Sequence, residues 1–194
     1  MAKILVIVSI LFLTSSIGCG KHFFILSDKE MNKMAQTARE PALGNFVVYK
    51  NGDTLKNKAA QRKYKKVSGF EMRWVLDDNS INPSNVHSYQ TEDAYYLYGN
   101  DREYARLIKG EVSLFVNHST EIKMNYERSE AIVFYLQKGT SFDRMSYAVL
   151  KASIEDNPAA LKQMKKEFPQ TSKPNRDLTD YRSFSRILDI YNHN

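Results

Sequence analysis

The sequence predicts an α+β fold in which a mainly antiparallel sheet, arranged as a roll, a sandwich or a partial barrel, packs against helices. Two observations lead to this prediction. Between residues 44 and 140, apolar and polar residues alternate in short runs that are separated by turn residues. After residue 140, the apolar residues recur at helical spacing. Strands followed by helices are typical of one α+β domain, and 194 residues suffice for a single core.

The first eighteen residues have the pattern of an export signal. Lys3 precedes an apolar run over 4–13, which is shorter than the roughly 20 residues that span a bilayer. Cys19, the single cysteine, directly follows the small residue Gly18, as the acylated cysteine of a bacterial lipoprotein does. We therefore expect a signal peptide over 1–18 and lipidation of Cys19, whose acyl chains would anchor the protein in a membrane. Cleavage by signal peptidase I, which leaves a soluble periplasmic or secreted protein, is the alternative.

A helix and a hairpin are expected at the start of the exported chain. Ser27 and Glu30 have the spacing of a capping box, so the lipidated N-terminal segment 19–43 is expected to contain a helix over 28–39. Asn51-Gly52 stands between two short runs of strand-forming residues, which predicts a tight hairpin turn. The hairpin begins the β-rich core.

Further strands are expected along the β-rich core, which spans 44–140. Alternating, β-branched and aromatic runs predict them at 45–50, 54–56, 70–76, 95–98, 104–108 and 111–117. The run 131–136 is apolar on both faces, which is typical of a central strand that is covered on both sides. The residues 77–80 are expected to turn the chain.

Two to three helices are expected in 141–194, the helical part of the same domain. Asn157 followed by Pro158 is a typical helix start, because asparagine caps free N–H groups and proline is tolerated in the first turn. The most regular apolar stripe of the chain belongs to the last helix and consists of Tyr181, Phe184, Ile187, Leu188 and Tyr191.

Four stretches of the exported chain, in a fixed order, carry a resemblance to other proteins. They are the hairpin 46–55, the short turn 82–86, the segment 105–115 and the C-terminal helices, which include 187–192. In these stretches the chain resembles an uncharacterised family of Bacteroidota exported or lipoprotein envelope proteins. The resemblance implies a β-rich domain followed by C-terminal helices, and it brings no catalytic residues. Members of the family carry a second glycine after the hairpin, where this chain has Asn57.

The sequence contains no recognisable catalytic, metal-binding or phosphate-binding motif. A Gly-x-Ser-x-Gly nucleophile elbow is missing, the four histidines do not share metal-ligand spacing, and no glycine-rich phosphate loop is present. We therefore expect a protein that is not an enzyme and that binds no cofactor and no metal. A hydrolase whose two carboxylates are brought together by folding is the alternative that the sequence leaves open.

A basic run and a net charge of +6 suggest an anionic partner. The run consists of Arg62, Lys63, Lys65 and Lys66. Export argues against nucleic acid, so the expected partners of this charge are anionic lipids, lipopolysaccharide or acidic glycans. A solvated strand edge that is protected by lysines is the alternative.

Two further features suggest a connection with sugars. Asp53-Thr54-Leu55 matches the Asp-Thr-apolar pattern of O-glycosylation in Bacteroidota secreted proteins, with Thr54 as the acceptor. A turn aspartate followed by a strand-forming residue explains the same three residues. A second set of side chains could form a face on which sugars stack, or could pack between strands: Tyr95, Tyr96, Tyr98 and Tyr104.

The export signal and the lack of a catalytic motif together predict a lipid-anchored component of the cell envelope with a binding or structural role. Gly20, rather than aspartate, follows the cysteine, which favours the outer membrane. The expected partners are the membrane, through the N-terminal lipid, and other envelope proteins, glycans or anionic lipids. A glycan- or lipid-binding module is the second function that we expect, ahead of the hydrolase.

Overall fold

An open, eight-stranded antiparallel sheet is the main element of the fold. The computed structural model describes residues 27–56, 63–67, 71–76, 79–81, 83–100, 102–122, 128–169 and 180–193. In these residues, a second sheet of three strands and four helices accompany the main sheet. The α+β class that the sequence predicts is therefore confirmed.

The strands of both sheets are numbered along the chain. They are β1 (Phe46–Tyr49), β2 (Thr54–Lys56), β3 (Lys63–Val67), β4 (Glu71–Leu76), β5 (Asn79–Ile81), β6 (Val86–Gln90), β7 (Tyr95–Gly99), β8 (Arg102–Ile108), β9 (Val112–Ile122), β10 (Arg128–Lys138) and β11 (Ser141–Arg144). The main sheet has the order β11-β10-β9-β8-β7-β6-β1-β2, and β3, β4 and β5 form the small sheet. From β6 to β11 each strand pairs with the next, which antiparallel strands achieve with short connections.

The helices are α1 (Asp28–Thr37), α2 (Tyr147–Ser153), α3 (Pro158–Glu167) and α4 (Tyr181–His193). Side chains satisfy N–H groups in the first turns. Ser27 Oγ accepts from the N–H of Glu30 at 3.3 Å, and Asn157 Oδ1 accepts from the N–H of Ala160 at 3.0 Å. Short 3₁₀ turns lie at Pro41–Leu43 and Pro83–Asn85. The two to three C-terminal helices that the sequence predicts are confirmed as three.

The hairpin between β1 and β2 has the turn that its sequence predicts. Gly52 has a φ of 93°, a left-handed conformation that glycine adopts without strain. The Tyr49 N–H donates to the Asp53 carbonyl at 2.8 Å, and the Asp53 N–H donates to the Asn51 side chain at 3.1 Å. The predicted turn is therefore confirmed, and it fixes the register in which β2 pairs with β1.

The hydrophobic core lies between one face of the main sheet and the helices. α3 packs on α4 and contributes Ala160 and Met164 to this core. On the sheet side, the core contains Val112, Leu114, Val116, Phe134 and Leu136. All five residues of the predicted α4 stripe are buried, because residues three and four apart share one face of a helix. The predicted apolar face of the last helix is therefore confirmed.

The end of α4 is joined to the start of β9 by a pair of hydrogen bonds. Asn192 accepts from the Val112 N–H at 3.1 Å and donates to the Val112 carbonyl at 3.0 Å. Gly110 lies beside this pair, and a Cβ atom at position 110 would overlap the amide group of Asn192. A larger residue at position 110 would therefore displace the Asn192 side chain and break its bonds to Val112.

The position of β10 differs from the prediction for 131–136. The strand is not central, because it lies between β9 and the edge strand β11. Phe134 packs into the core under the helices, whereas Tyr135 stacks on Phe142 of β11, with ring centroids 5.4 Å apart. Contacts between aromatic side chains of neighbouring strands, rather than a central position, therefore account for the second apolar face.

Besides β3, which the sequence offers only as the alternative explanation of the basic run, three strands stand where the sequence predicts none. β11 extends the main sheet beyond residue 140, so the β-rich part does not end there, and β5 occupies part of the expected turn 77–80. β6 directly follows the 3₁₀ turn at Pro83–Asn85. Two of these strands lack the alternation of apolar and polar residues that predicts a strand. β6 buries the polar residues Ser88 and Gln90, and β11 has a single apolar residue, Phe142.

A charge cluster joins α3 to α4. Arg186 donates to the two carboxylate oxygens of Glu167 at 2.7 and 2.8 Å, and Ser183 Oγ donates to one of them at 3.0 Å. The hydrogen bonds from Arg186 lower the pKa of Glu167 to about 2, although partial burial of the carboxylate opposes its charge.

We expect this cluster to stabilise the fold at neutral pH and to lose its contribution in acid. The folded pKa of Glu167 lies below the ordinary value of 4.5, so the contribution is complete above that pH and is lost as the pH falls towards 2. Because Arg186 is half exposed, Glu167→Gln is expected to cost only about 1–2 kcal/mol at pH 7 and to flatten the fall in stability between pH 5 and pH 2. Urea unfolding at several pH values measures both effects, with the exposed Glu155→Gln as the control. An unchanged slope in the Glu167 variant would contradict this explanation.

Candidate functional site

A groove of about 540 Å³ runs along α1, between this helix, the end of β8 and the start of α4. Its size is within the range of sites that bind small ligands. Most of the lining surface is apolar. The apolar lining residues are Met34, Ala38, Leu107 and Ile108, and the Tyr181 ring also lines the groove. The other lining residues are Glu30, Lys33, Thr37, Lys109 and Arg182.

A β-bulge in β8 forms the floor of this groove. Arg106 pairs with Phe115, and Ile108 pairs with the next residue of β9, Leu114, so Leu107 is an extra residue in β8. Both Leu107 and Ile108 therefore reach the core that the helices cover. Without the bulge, strand alternation would direct one of these two side chains to the opposite face.

The charged part of the lining contains three cations and one acid. The cations are Lys33, Lys109 and Arg182, and the acid is Glu30. The Glu30 carboxylate accepts from the Ser27 N–H at 3.1 Å and from Ser27 Oγ at 2.8 Å. These bonds lower the pKa of Glu30 and engage its charge at the start of α1. The lining therefore has a net positive charge.

A buried arginine fixes the end of α1 against β8. Arg106 Nε donates to the Ala38 carbonyl at 2.9 Å, and Arg106 Nη2 donates to Glu40 Oε1 at 2.8 Å. Lys109 Nζ donates to the other carboxylate oxygen of Glu40 at 2.6 Å. Partial burial of Glu40 opposes its charge, but the hydrogen bonds from Lys109 and Arg106 outweigh it, so its pKa is lowered. One wall of the groove is thus held in place before any ligand binds.

Gln90 and Tyr95, which lie on the same face of the sheet as the Arg106 side chain, complete this connection. Gln90 Nε2 donates to the Glu40 carbonyl at 3.0 Å, and Gln90 Oε1 accepts from the Glu40 N–H at 2.6 Å. The guanidinium carbon of Arg106 lies 4.0 Å from the centroid of the Tyr95 ring. Sequence reasoning missed Gln90 and Arg106, although a long polar residue inside a strand is a local sign of such a role.

Two carboxylates meet at the hydroxyl group of Tyr191, which lies 3.1 Å from both Glu111 Oε1 and Asp156 Oδ2. Lys138 Nζ donates to the same Asp156 oxygen at 3.0 Å. The bond from Lys138 lowers the pKa of Asp156, although desolvation opposes this shift. Glycoside hydrolysis by a carboxylate pair needs one acid with a raised pKa, and among the described acids every resolved shift is downward. The bonds of this cluster connect α4 with the start of β9 and with the chain after α2.

The basic run lies partly in the small sheet. Lys63, Lys65 and Lys66 belong to β3, an edge strand, where Lys65 pairs with Arg73. Lysines commonly protect such an edge from pairing with another chain. Arg62 and the lipidation residue Cys19 lie outside the described residues. Binding of an anionic surface by the run stays a prediction.

The candidate glycosylation residue, Thr54, is exposed at the start of the edge strand β2. It pairs with Val48 across the hairpin. An exposed position beside a tight turn is accessible to a modifying enzyme. Glycosylation of Thr54 stays a prediction.

The four tyrosines that could stack on sugars or pack between strands are divided between two sets of contacts. Tyr96 stacks on Tyr89 at 4.7 Å, beside Tyr98 in the small Val47 and Val86 cluster. On the other face, Tyr95 lies beneath Arg106, and Tyr104 packs edge-on against Tyr135 and Phe142. The four rings do not share one face, because neighbouring residues of one strand point to opposite faces of the sheet. Their contacts are those of packing between strands, the alternative that the sequence also offers.

In the part of the chain that the structure describes, no three His, Cys, Asp or Glu side chains are grouped as metal ligands. None of the described helices combines the length and apolar content that crossing a membrane requires.

The fold and the groove define an α+β protein with an open antiparallel sheet, helices on one face and a basic, largely apolar groove at the side. Comparison with protein-family models, with curated proteins and with solved structures finds no match to the chain.

Proposed function

We propose that the protein is an exported, lipid-anchored component of the bacterial cell envelope that binds or supports a partner without catalysing a reaction. The observation that carries this proposal is the signal-like segment 1–18, which ends directly before Cys19. The resemblance to Bacteroidota envelope proteins supports the same location. Gly20 supports the outer membrane as the site of anchoring, and a soluble periplasmic protein is the alternative.

The distance from the proposed anchor to the domain is short. Ser27, the first described residue, stands eight residues after Cys19. A fully extended chain of this length reaches at most about 29 Å. An acylated Cys19 would therefore hold α1 and its groove close to the membrane surface.

The use of acidic residues in the domain supports a binding or structural role. Glu40, Asp156 and Glu167 each accept hydrogen bonds that join separate elements of the fold, and each has a lowered pKa. Carboxylates that are held ionised in this way are suited to fixing a fold and poorly suited to proton transfer near neutral pH.

A lipid-binding module is the second candidate function, and the groove favours it over a glycan-binding module. Sugar sites commonly use exposed aromatic rings, but the tyrosines of β7 and β8 pack within the sheet. The groove instead offers an apolar lining that includes Met34 of α1 and Leu107 and Ile108 of the floor.

Replacement of the anchoring cysteine tests the proposed function. We expect the natural protein to incorporate an alkyne-labelled fatty acid and to remain with membranes after washing in high salt. Cys19→Ala is expected to incorporate none, because the thiol that accepts the lipid is gone. Ser15→Ala, in the same segment, is the control and should keep the label. A natural protein that is exported without label would contradict the proposal.

A further inference from the structure

We propose that the groove beside α1 binds a fatty acid, with the hydrocarbon chain on Met34, Leu107 and Ile108 and the carboxylate near Lys33 and Arg182. This inference deepens the proposed function, since it names the ligand class of a site close to the anchor. Its geometry depends on the described residues alone.

The shape of the groove suits one hydrocarbon chain. From Glu30 to Ala38 it follows α1 over about 12 Å, given the rise of an α-helix. The bulge in β8 supplies two consecutive apolar side chains, Leu107 and Ile108, along this path. This length, in a groove of about 540 Å³, accommodates about ten carbons of one chain with its head group at the open side.

The polar groups of the lining favour a lipid over an extended peptide. A peptide needs partners for its backbone N–H and C=O groups. The Thr37 hydroxyl already donates to the Lys33 carbonyl at 3.0 Å, and the Glu30 carboxylate is bound by Ser27. The lining thus has few free partners for a peptide backbone.

The charges of the lining favour an anionic head group. Lys33 is exposed and forms no ion pair with any described residue, so its ammonium group is available. Arg182 lies across the groove at the start of α4. Lys109 shares the single charge of Glu40 with Arg106, so these three residues keep a net positive charge. A carboxylate therefore complements the site better than a neutral or cationic head group.

Displacement of a fluorescent fatty acid, dansyl-undecanoate, tests the inference directly. The protein is the chain from Gly20, which keeps every described residue and lacks the signal segment and the acylated cysteine. We expect hexadecanoate to displace the probe, hexadecanol to be at least about tenfold weaker, and hexadecyltrimethylammonium to have no effect.

Variants assign this binding to the groove. Lys33→Gln with Arg182→Gln is expected to weaken hexadecanoate at least about tenfold while leaving hexadecanol unchanged. Ile108→Glu is expected to abolish displacement by both compounds. Lys162→Gln with Lys166→Gln, two exposed cations on α3, is the matched control and should leave both affinities unchanged.

Four results would overturn the inference. They are equal affinity for hexadecanoate and hexadecanol, an equal loss in the control pair, binding to phosphatidylglycerol vesicles without binding of hexadecanoate, and binding only after removal of residues 20–26. The last result would mean that the chain covers its own groove. Labelling of Cys19 is read separately, so a labelled protein that binds no hexadecanoate refutes the ligand and leaves the anchor in place.

Discussion

Replacement of Phe184 by alanine is expected to destabilise the domain by about 3–5 kcal/mol. Phe184 is fully buried in the first turn of α4. Its ring meets Phe134 of β10 edge-on, with centroids 5.4 Å apart, and lies 6.0 Å from the ring of Phe168 after α3. One side chain thus joins the sheet to two helices, and its removal leaves a cavity that the surrounding elements cannot fill completely.

Urea unfolding measures this loss. A domain of this size has a total stability of about 5–15 kcal/mol, so the alanine variant is expected to be only marginally folded at room temperature. Phe184→Leu, which retains most of the apolar volume, is the matched control and should lose less than about 1.5 kcal/mol. Equal losses in the two variants, or a loss below about 1 kcal/mol for alanine, would contradict the central place of α4 in the core.

Arg106→Ala is expected to cost about 2–3 kcal/mol and to loosen the wall of the groove. The variant removes the donors to the Ala38 carbonyl and to Glu40, and it removes the cation above the Tyr95 ring. The cost stays below that of an unpaired buried charge, because Glu40 is partly exposed and keeps its bond from Lys109. We expect a weaker affinity for hexadecanoate as well, since Ala38 lines the groove.

Two variants make this result specific. Arg102→Ala, an exposed arginine at the start of the same strand, should change stability by less than about 0.5 kcal/mol. Arg106→Lys should recover little, because an ammonium group has no flat face to lie on Tyr95 and cannot reproduce the fork of donors. An Arg106 variant that unfolds no more easily than the Arg102 variant would refute the proposed role.

The elements that were predictable from the sequence are those with a strong local pattern. The stripe of α4 follows one period over three turns, and the β1–β2 turn has the dipeptide that a tight turn requires. The strands β6 and β11 were not predictable, because tertiary contacts of Gln90 and Phe142 decide their pairing. Such contacts connect residues far apart in the chain and leave no period in the sequence.

The groove could not be predicted because three distant segments build it. α1, the end of β8 and the start of α4 meet in the folded chain alone. Its one local sign is the adjacent pair Leu107 and Ile108, which breaks strand alternation at the bulge. The proposed anchor differs from the groove, because its pattern is contiguous in the sequence. Cys19 can therefore be proposed as the lipidated residue without knowledge of the fold.

The intact mass of the protein, purified from the membrane fraction of its own host, tests the lipid anchor most directly. We expect the mass of residues 19–194 with acyl chains attached, and a hexose on Thr54 would add its own increment. An unmodified mass that begins at Cys19 or at Lys21 would contradict the anchor and would leave an exported protein without a membrane attachment.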